Sequence, residues 1–139
     1  MTTTTPTPTV WAGLSYVDAP AAIRFLVDVL GFTETLVVPG ENGREIVHAE
    51  LRWPEGGGVM LGSHDEANEL MPTKPGMSSV YVVTDDPDRV HERCVAAGAE
   101  IAREMREEDY GSRGFVVRDP EGGVWSFGTY RGAPEPAAE

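Results

Sequence analysis

Polar and apolar residues alternate through residues 10–17. Trp11, Gly13 and Ser15 fall on one side and Val10, Ala12, Leu14 and Tyr16 on the other, the period-two signature of a strand. Asp18 then supplies a helix N-cap and Pro20 suits the first turn. Ile23, Leu26, Val27 and Leu30 follow at helical spacing until Gly31 ends the run. Residues 34–38 predict a second strand, Asn42-Gly43 a hairpin turn, and residues 45–53 an alternating third strand. The turn Pro54-Glu55-Gly56-Gly57 leads into a fourth strand over 58–62. A polar stretch containing Pro72 and Pro75 connects to a second run of the same order. There, 79–84 reads as a strand and Asp85-Asp86-Pro87 as a helix start. Val90, Cys94 and Ala97 mark the inward helix face, and Gly98 the stop. Strands over 100–105, 114–118 and 124–130 follow, broken by a polar loop at 106–113 and the turn Asp119-Pro120-Glu121-Gly122-Gly123.

The two runs are copies. Pro20 and Pro87, Ile23 and Val90, and Gly31 and Gly98 all stand 67 residues apart; the turn Pro54-Glu55-Gly56-Gly57 recurs 66 residues on as Pro120-Glu121-Gly122-Gly123. On the same spacing Cys94 matches Val27. A constant offset through a helix, a turn and a final strand predicts two tandem β-α-β-β-β modules. The fold class is therefore α+β, with a curved mixed sheet around a cavity between the repeats, because each sheet covered by its helix on one face needs a partner on the other. The single domain is expected over 10–131, with module one at 10–63, the connector at 64–77 and module two at 78–131. The Thr-Pro run at 1–9 and the Ala-Pro-Glu run at 132–139 bury too little apolar surface to offset ordering entropy and are expected to be disordered tails.

Composition narrows the function. Among 139 residues, 11 Lys and Arg face 23 Asp and Glu, a formal charge of -12. Such a chain repels phosphate backbones, which argues against nucleic acid and anionic membranes as partners, and it suits a cationic ligand. One cysteine, Cys94, excludes an internal disulfide and a Cys-based zinc site. No apolar run has transmembrane length and the first ten residues show no secretory pattern, so a cytoplasmic location is the expectation.

The segments Tyr16-Val17-Asp18 through Gly31-Phe32, Val83-Thr84-Asp85-Asp86 through Gly98, and Asp119 through Phe127 resemble the vicinal oxygen chelate superfamily. That group includes glyoxalase I, extradiol dioxygenases, fosfomycin-modifying enzymes and bleomycin-resistance proteins. The resemblance implies a divalent metal held by His, Glu or Gln on the first and fourth strands of each module. It also implies a homodimer, with exchange of halves permitted by the long connector. Carried onto this chain, the ligand positions are Trp11, Met60, Ser79 and Ser126. Trp has no lone pair to give, and Met and neutral Ser are poor ligands for such ions, so no metal and no cofactor are expected.

With that geometry the pocket would receive Trp11, Met60, Tyr81, Ser79 and Ser126, with Tyr110 and Arg113 as wall residues and Glu50, Glu108 and Asp109 as nearby negative charge. His48 and Glu50 lie two apart on the third strand and share a face with Ile46 and Arg52. They are either a chelating or acid-base pair or a polar edge. His64 and His91 are expected to be solvated, Cys94 a small core residue, Trp53 a residue near the mouth, and Trp125 and Phe127 packed under the helix. Three readings follow: a metal-independent binder of an aromatic or cationic compound, such as an antibiotic; an enzyme of lyase or dioxygenase class built on His48 and Glu50; or a scaffold without a ligand.

Overall fold

A computed structural model describes residues 6–71 and 73–137. The two expected tails lie partly outside them, and their described parts, 6–9 and 132–137, carry no helix or strand. Among the described residues, eight strands and two helical segments follow the order that the pattern predicts. Module one contains β1 (Ala12–Tyr16), α1 (Ala19–Arg24), β2 (Thr33–Pro39), β3 (Ile46–Arg52) and β4 (Gly58–Ser63). Module two contains β5 (Ser79–Val83), α2 (Pro87–Ala96), β6 (Glu100–Glu107), β7 (Arg113–Arg118) and β8 (Val124–Gly128). The expected polar loop at 106–113 is shorter than that, because Glu107 pairs with Arg113 and extends the β6–β7 hairpin.

Both helices start as their sequences dictate. The Asp18 carboxylate accepts from the Ala21 N–H at 3.1 Å, and the Asp86 carboxylate from the Arg89 N–H at 3.1 Å. The first helix then widens: Phe25–Leu30 is a π-helix, and the Gly31 N–H donates to the Leu26 carbonyl five residues back at 3.0 Å. A π turn holds one more residue than an α turn. The repeat offset is accordingly 68 at the N-caps, Asp18 to Asp86, and 67 after the helices, Gly31 to Gly98. This revises the pairing within the helices. Cys94 is the counterpart of Leu26, not Val27, and Val90 that of Ala22, not Ile23; all four true counterparts are buried. Ala97 sits at the helix C-cap and is exposed, not inward.

Each module forms its own four-stranded mixed sheet, in the orders β1-β4-β3-β2 and β5-β8-β7-β6. The β1–β4 and β5–β8 pairs are parallel and the others antiparallel. The mixed sheet thus comes in two hydrogen-bonded halves. Their apolar faces, with the helices between them, share one core: Leu14, Ala49, Leu51 and Leu61 from the first, Val82, Phe115, Val117 and Phe127 from the second. Phe32 joins them, its ring centroid 5.1 Å from that of Trp53 and 5.6 Å from that of Trp125. Trp53 is buried at this junction, where its edge also borders a cleft, and its indole N–H donates to the Val83 carbonyl at 2.9 Å.

Reciprocal polar contacts lock the halves together. Glu121, in the second Pro-Glu-Gly-Gly turn, accepts from the Val17 and Asp18 N–H groups at 2.7 and 2.9 Å. Its repeat partner Glu55 accepts from the Thr84 hydroxyl at 2.7 Å and the Asp85 N–H at 3.0 Å. Beneath Glu121, buried Asp119 accepts from the Tyr16 hydroxyl at 2.7 Å, the Trp125 indole N–H at 3.0 Å and the Gly123 N–H at 2.9 Å. Burial first, then the Asp119 carboxylate, pushes the Tyr16 phenol far above its ordinary value.

Replacing Asp119 by Ala leaves the buried Tyr16 hydroxyl and Trp125 N–H without their acceptor. The expected cost is about 3 kcal/mol in urea unfolding. A loss below about 1 kcal/mol would show that the carboxylate is not the anchor described here.

Candidate functional site

Because the apolar faces of both sheets are spent on the shared core, their other faces turn outward. Strand register sets the side chains there in rows. Across the first sheet one row runs Gly13, Met60, Glu50, Leu36. Across the second the matching row runs Tyr81, Ser126, Val116, Arg103. Trp11 and Ser79 belong to the neighbouring rows: Ser79 pairs with Val124, and the Trp11 ring lies over Gly58, filling the space a side chain there would take. Aromatic core fills most of the space between the two repeats, and the expected cavity between them is a cleft lined by Phe32, Trp53 and 56–59 of module one and by 80–83 and Arg131 of module two; further cavities lie on the outer faces.

One of these, of about 290 Å³, opens on the outer face of the first sheet. Gly13, Ser15 and Gly62 give it a floor almost free of side chains, since Ser15 and Gly62 are register partners on β1 and β4. Met60 and His48 rise from that floor. Asp65, Asn68 and Met71 of the connector form the opposite wall. A floor of glycine and serine beside the Met60 thioether suits a flat, partly apolar ligand, because methionine adapts its shape and its sulfur packs well on aromatic rings. Asp65 brings a negative charge to the rim.

His48 and Glu50 meet here as expected of residues sharing a face. His48 Nε2 lies 2.8 Å from Glu50 Oε2, and both side chains are partly exposed. With Nε2 engaged by the carboxylate, the pair is bonded to itself before any ligand arrives. Glu50 adjoins the cavity through this bond and through its row with Met60.

The second sheet holds the remaining expected residues apart from that cavity. Tyr81, 48% exposed, donates to the Tyr130 carbonyl at 2.7 Å and borders a separate cleft of about 270 Å³ with Trp53, Val80 and Arg131. Ser126 and Ser79 lie on the open face of this sheet. Tyr110 is exposed and packs edge-on against Tyr130 at 5.5 Å. Arg113 serves the fold and lines neither space. Its guanidinium grips Asp88 in the first turn of α2 with bonds of 3.0 and 2.7 Å, which holds the Asp88 carboxyl below its usual range. Glu108 is likewise held low by Arg106 and Arg103 and brings no free charge.

Neither remaining histidine is simply solvated. His91 stands edge-on to Phe115 at 5.0 Å, because the inner face of α2 packs on β7, and its Nε2 is buried 3.5 Å from Glu104. His64 Nδ1 is also buried. Cys94 is a core residue, and burial raises its thiol to about 11.

The divalent ion implied by the resemblance does not fit these residues. Trp11, Met60, Ser79 and Ser126 offer an indole, a thioether and two hydroxyls where hard or borderline ions take imidazole and carboxylate. Among the described residues no cluster of three His, Cys, Asp or Glu side chains has metal-holding geometry. Sequence reasoning missed the glycine floor and the connector wall.

A family model described as the Glyoxalase/Bleomycin resistance protein/Dioxygenase superfamily matches residues 9–127. An uncharacterized protein of Mycobacterium tuberculosis is 33% identical over 119 residues, covering 80% of this chain and 68% of that protein. The crystal structure of TioX from Micromonospora sp. ML1 superimposes with a TM-score of 0.68 at 33% identity, covering 84% of this chain and 94% of that one. FosX, a fosfomycin resistance protein from Listeria monocytogenes crystallised with Mn(II), shares the fold with a TM-score of 0.60 at 12% identity, over 86% and 90% of the two chains. Among the described residues no helix is long and apolar enough to cross a membrane.

The Trp11 ring depends on Gly58. In Gly58→Ala the new methyl meets both that ring and the Leu51 carbonyl. Trp53 and Trp125 are buried, so displacement of Trp11 should appear as a red shift of the emission, with a loss of about 1–3 kcal/mol in stability. An unchanged spectrum would place the ring elsewhere.

Proposed function

Since the chain belongs to the glyoxalase/bleomycin resistance protein/dioxygenase superfamily, we propose that it is a metal-independent member that binds and sequesters a small aromatic or cationic compound, an antibiotic being one such class. The observation that carries this reading is the first sheet's outer face. It presents a cavity walled by Met60 and Met71 over a bare floor, while the positions from which the family takes its ligands hold Trp11, Met60, Ser79 and Ser126. Asp65 at the rim and the net charge of -12 favour a cation.

The reading extends to the assembly. The outward faces carry partly exposed Leu36, Val38 and Tyr81. Two copies packed with the first sheet of one against the second sheet of its partner would cover these residues and bring Tyr81 and Ser126 to the cavity. The active unit is then a homodimer, and its ligand is enclosed by both chains.

Titration with a panel of planar cationic, planar neutral and non-aromatic compounds tests the function, read by tryptophan quenching and calorimetry. The expected result is saturable binding of planar compounds at one per chain or one per cavity, with the compound recovered unchanged. A second reading, acid-base chemistry by His48 and Glu50, is favoured by their 2.8 Å contact and predicts consumption of the compound instead. Failure of every compound to bind would sink both. Light scattering on the same samples should give twice the mass of a 15.0 kDa chain; a monomer mass would remove the assembly.

A further inference from the structure

The connector contributes more than a wall. The side chains of Asp65 through Leu70 are exposed, and Leu70 reaches 89%. Met71 is the next residue and turns inward, bringing its ε-methyl to 3.6 Å from the position a Gly13 side chain would start. Gly13 is the member of the central row without a side chain, so its dimple in the floor is filled by a methyl from another segment. The strap that delivers this methyl is held largely by bonds within itself. The Asp65 carboxylate accepts from the Ala67 N–H at 2.9 Å, its carbonyl from the Asn68 N–H at 3.0 Å, and the Asn68 side chain from the Leu70 N–H at 3.0 Å. At its root the His64 N–H donates to the Tyr16 carbonyl at 2.9 Å. Short turns of this kind open at little cost compared with strands packed on a core.

We propose that Met71 is an intramolecular competitor for the site: its thioether occupies the Gly13 dimple in the free protein, and a planar aromatic ligand displaces it. This rests on the binding reading above and sharpens its ligand class. The methyl stands where the flat apolar part of the ligand settles, against the exposed backbone of Gly13 and Gly62. Asp65, on the same strap, is then placed beside a cationic group at the ligand's edge. The strap residue thereby sets selectivity, because only a group flat enough to lie on the floor regains what the methyl gives up. A ligand that must displace a resident group binds with its intrinsic affinity reduced by the fraction of protein already open.

The sign of this effect separates it from an ordinary wall contact. A lining residue weakens binding when truncated, whereas a competitor strengthens it. Acriflavine, a planar cationic dye, serves as the probe, with spermidine as the non-aromatic cation. Met71→Ala is expected to bind acriflavine about fivefold or more tightly, with faster association, and Met71→Leu to stay near wild type. Spermidine should show no such gain. Weaker or unchanged acriflavine binding in Met71→Ala, or an equal gain for spermidine, overturns the proposal. Hydrogen exchange without ligand provides a second readout: Met71→Ala should speed exchange of the Ala67, Asn68 and Leu70 amides as the strap loses its seat. Unchanged exchange overturns the seating whether or not the dye binds. Absence of dye binding in wild type and both variants, with exchange still accelerated, defeats the binding reading and leaves the seating intact.

Discussion

The arrangement depends on one buried carboxylate. Asp119 is ionisable and almost inaccessible, yet it is surrounded by donors from both modules: Tyr16 from the first, Trp125 and its own turn from the second. A carboxylate in that position is tolerable only while those donors stay in place, so the geometry of one module is tied to that of the other. The repeat partner of Asp119 is Trp53, which makes the mirror contact by donating to Val83. Glu55 and Glu121 complete the clasp at either side. The consequence reaches the surface. With helices and apolar faces pinned together in the middle, both sheets display their other faces outward, and the glycine-floored cavity forms on one of them.

That constraint explains which parts were legible in the sequence. Alternation, caps and turn residues identified all eight strands and both helices, since each signal is local and the two copies corroborate one another. The π turn at Phe25–Leu30 left no local mark. It is visible only as a slip of the repeat from 68 to 67, and overlooking it misaligned Cys94 with Val27. Trp53 read as a residue near a mouth because its strand ends there. Its burial comes from Phe32 of its own module and from Phe127, which lies far away in sequence and meets it only after the modules dock.

The site was legible in pieces. Met60, His48 and Glu50 were found by counting along strands and do stand together on one outer face. Tyr81 and Ser126 occupy the matching row of the other sheet, and Arg113 turned out to be held by Asp88. The glycine floor and Met71 could not be read from pattern, because a glycine that matters for the room it leaves looks like any other until its neighbour is known. Trp, Met and Ser at the positions that the resemblance assigns to metal ligands were legible at once. A thioether and hydroxyls select a polarizable or hydrogen-bonding compound and cannot polarise it as an ion would.

The most direct test of this account is the metal content of freshly purified protein, measured again after exposure to nickel, zinc, manganese, iron and cobalt followed by desalting. The account predicts that no metal is retained near one ion per chain. Near-stoichiometric retention of any of them would contradict it, and would mean that His48, Glu50 or a partner's residues assemble a centre from ligands outside the family positions.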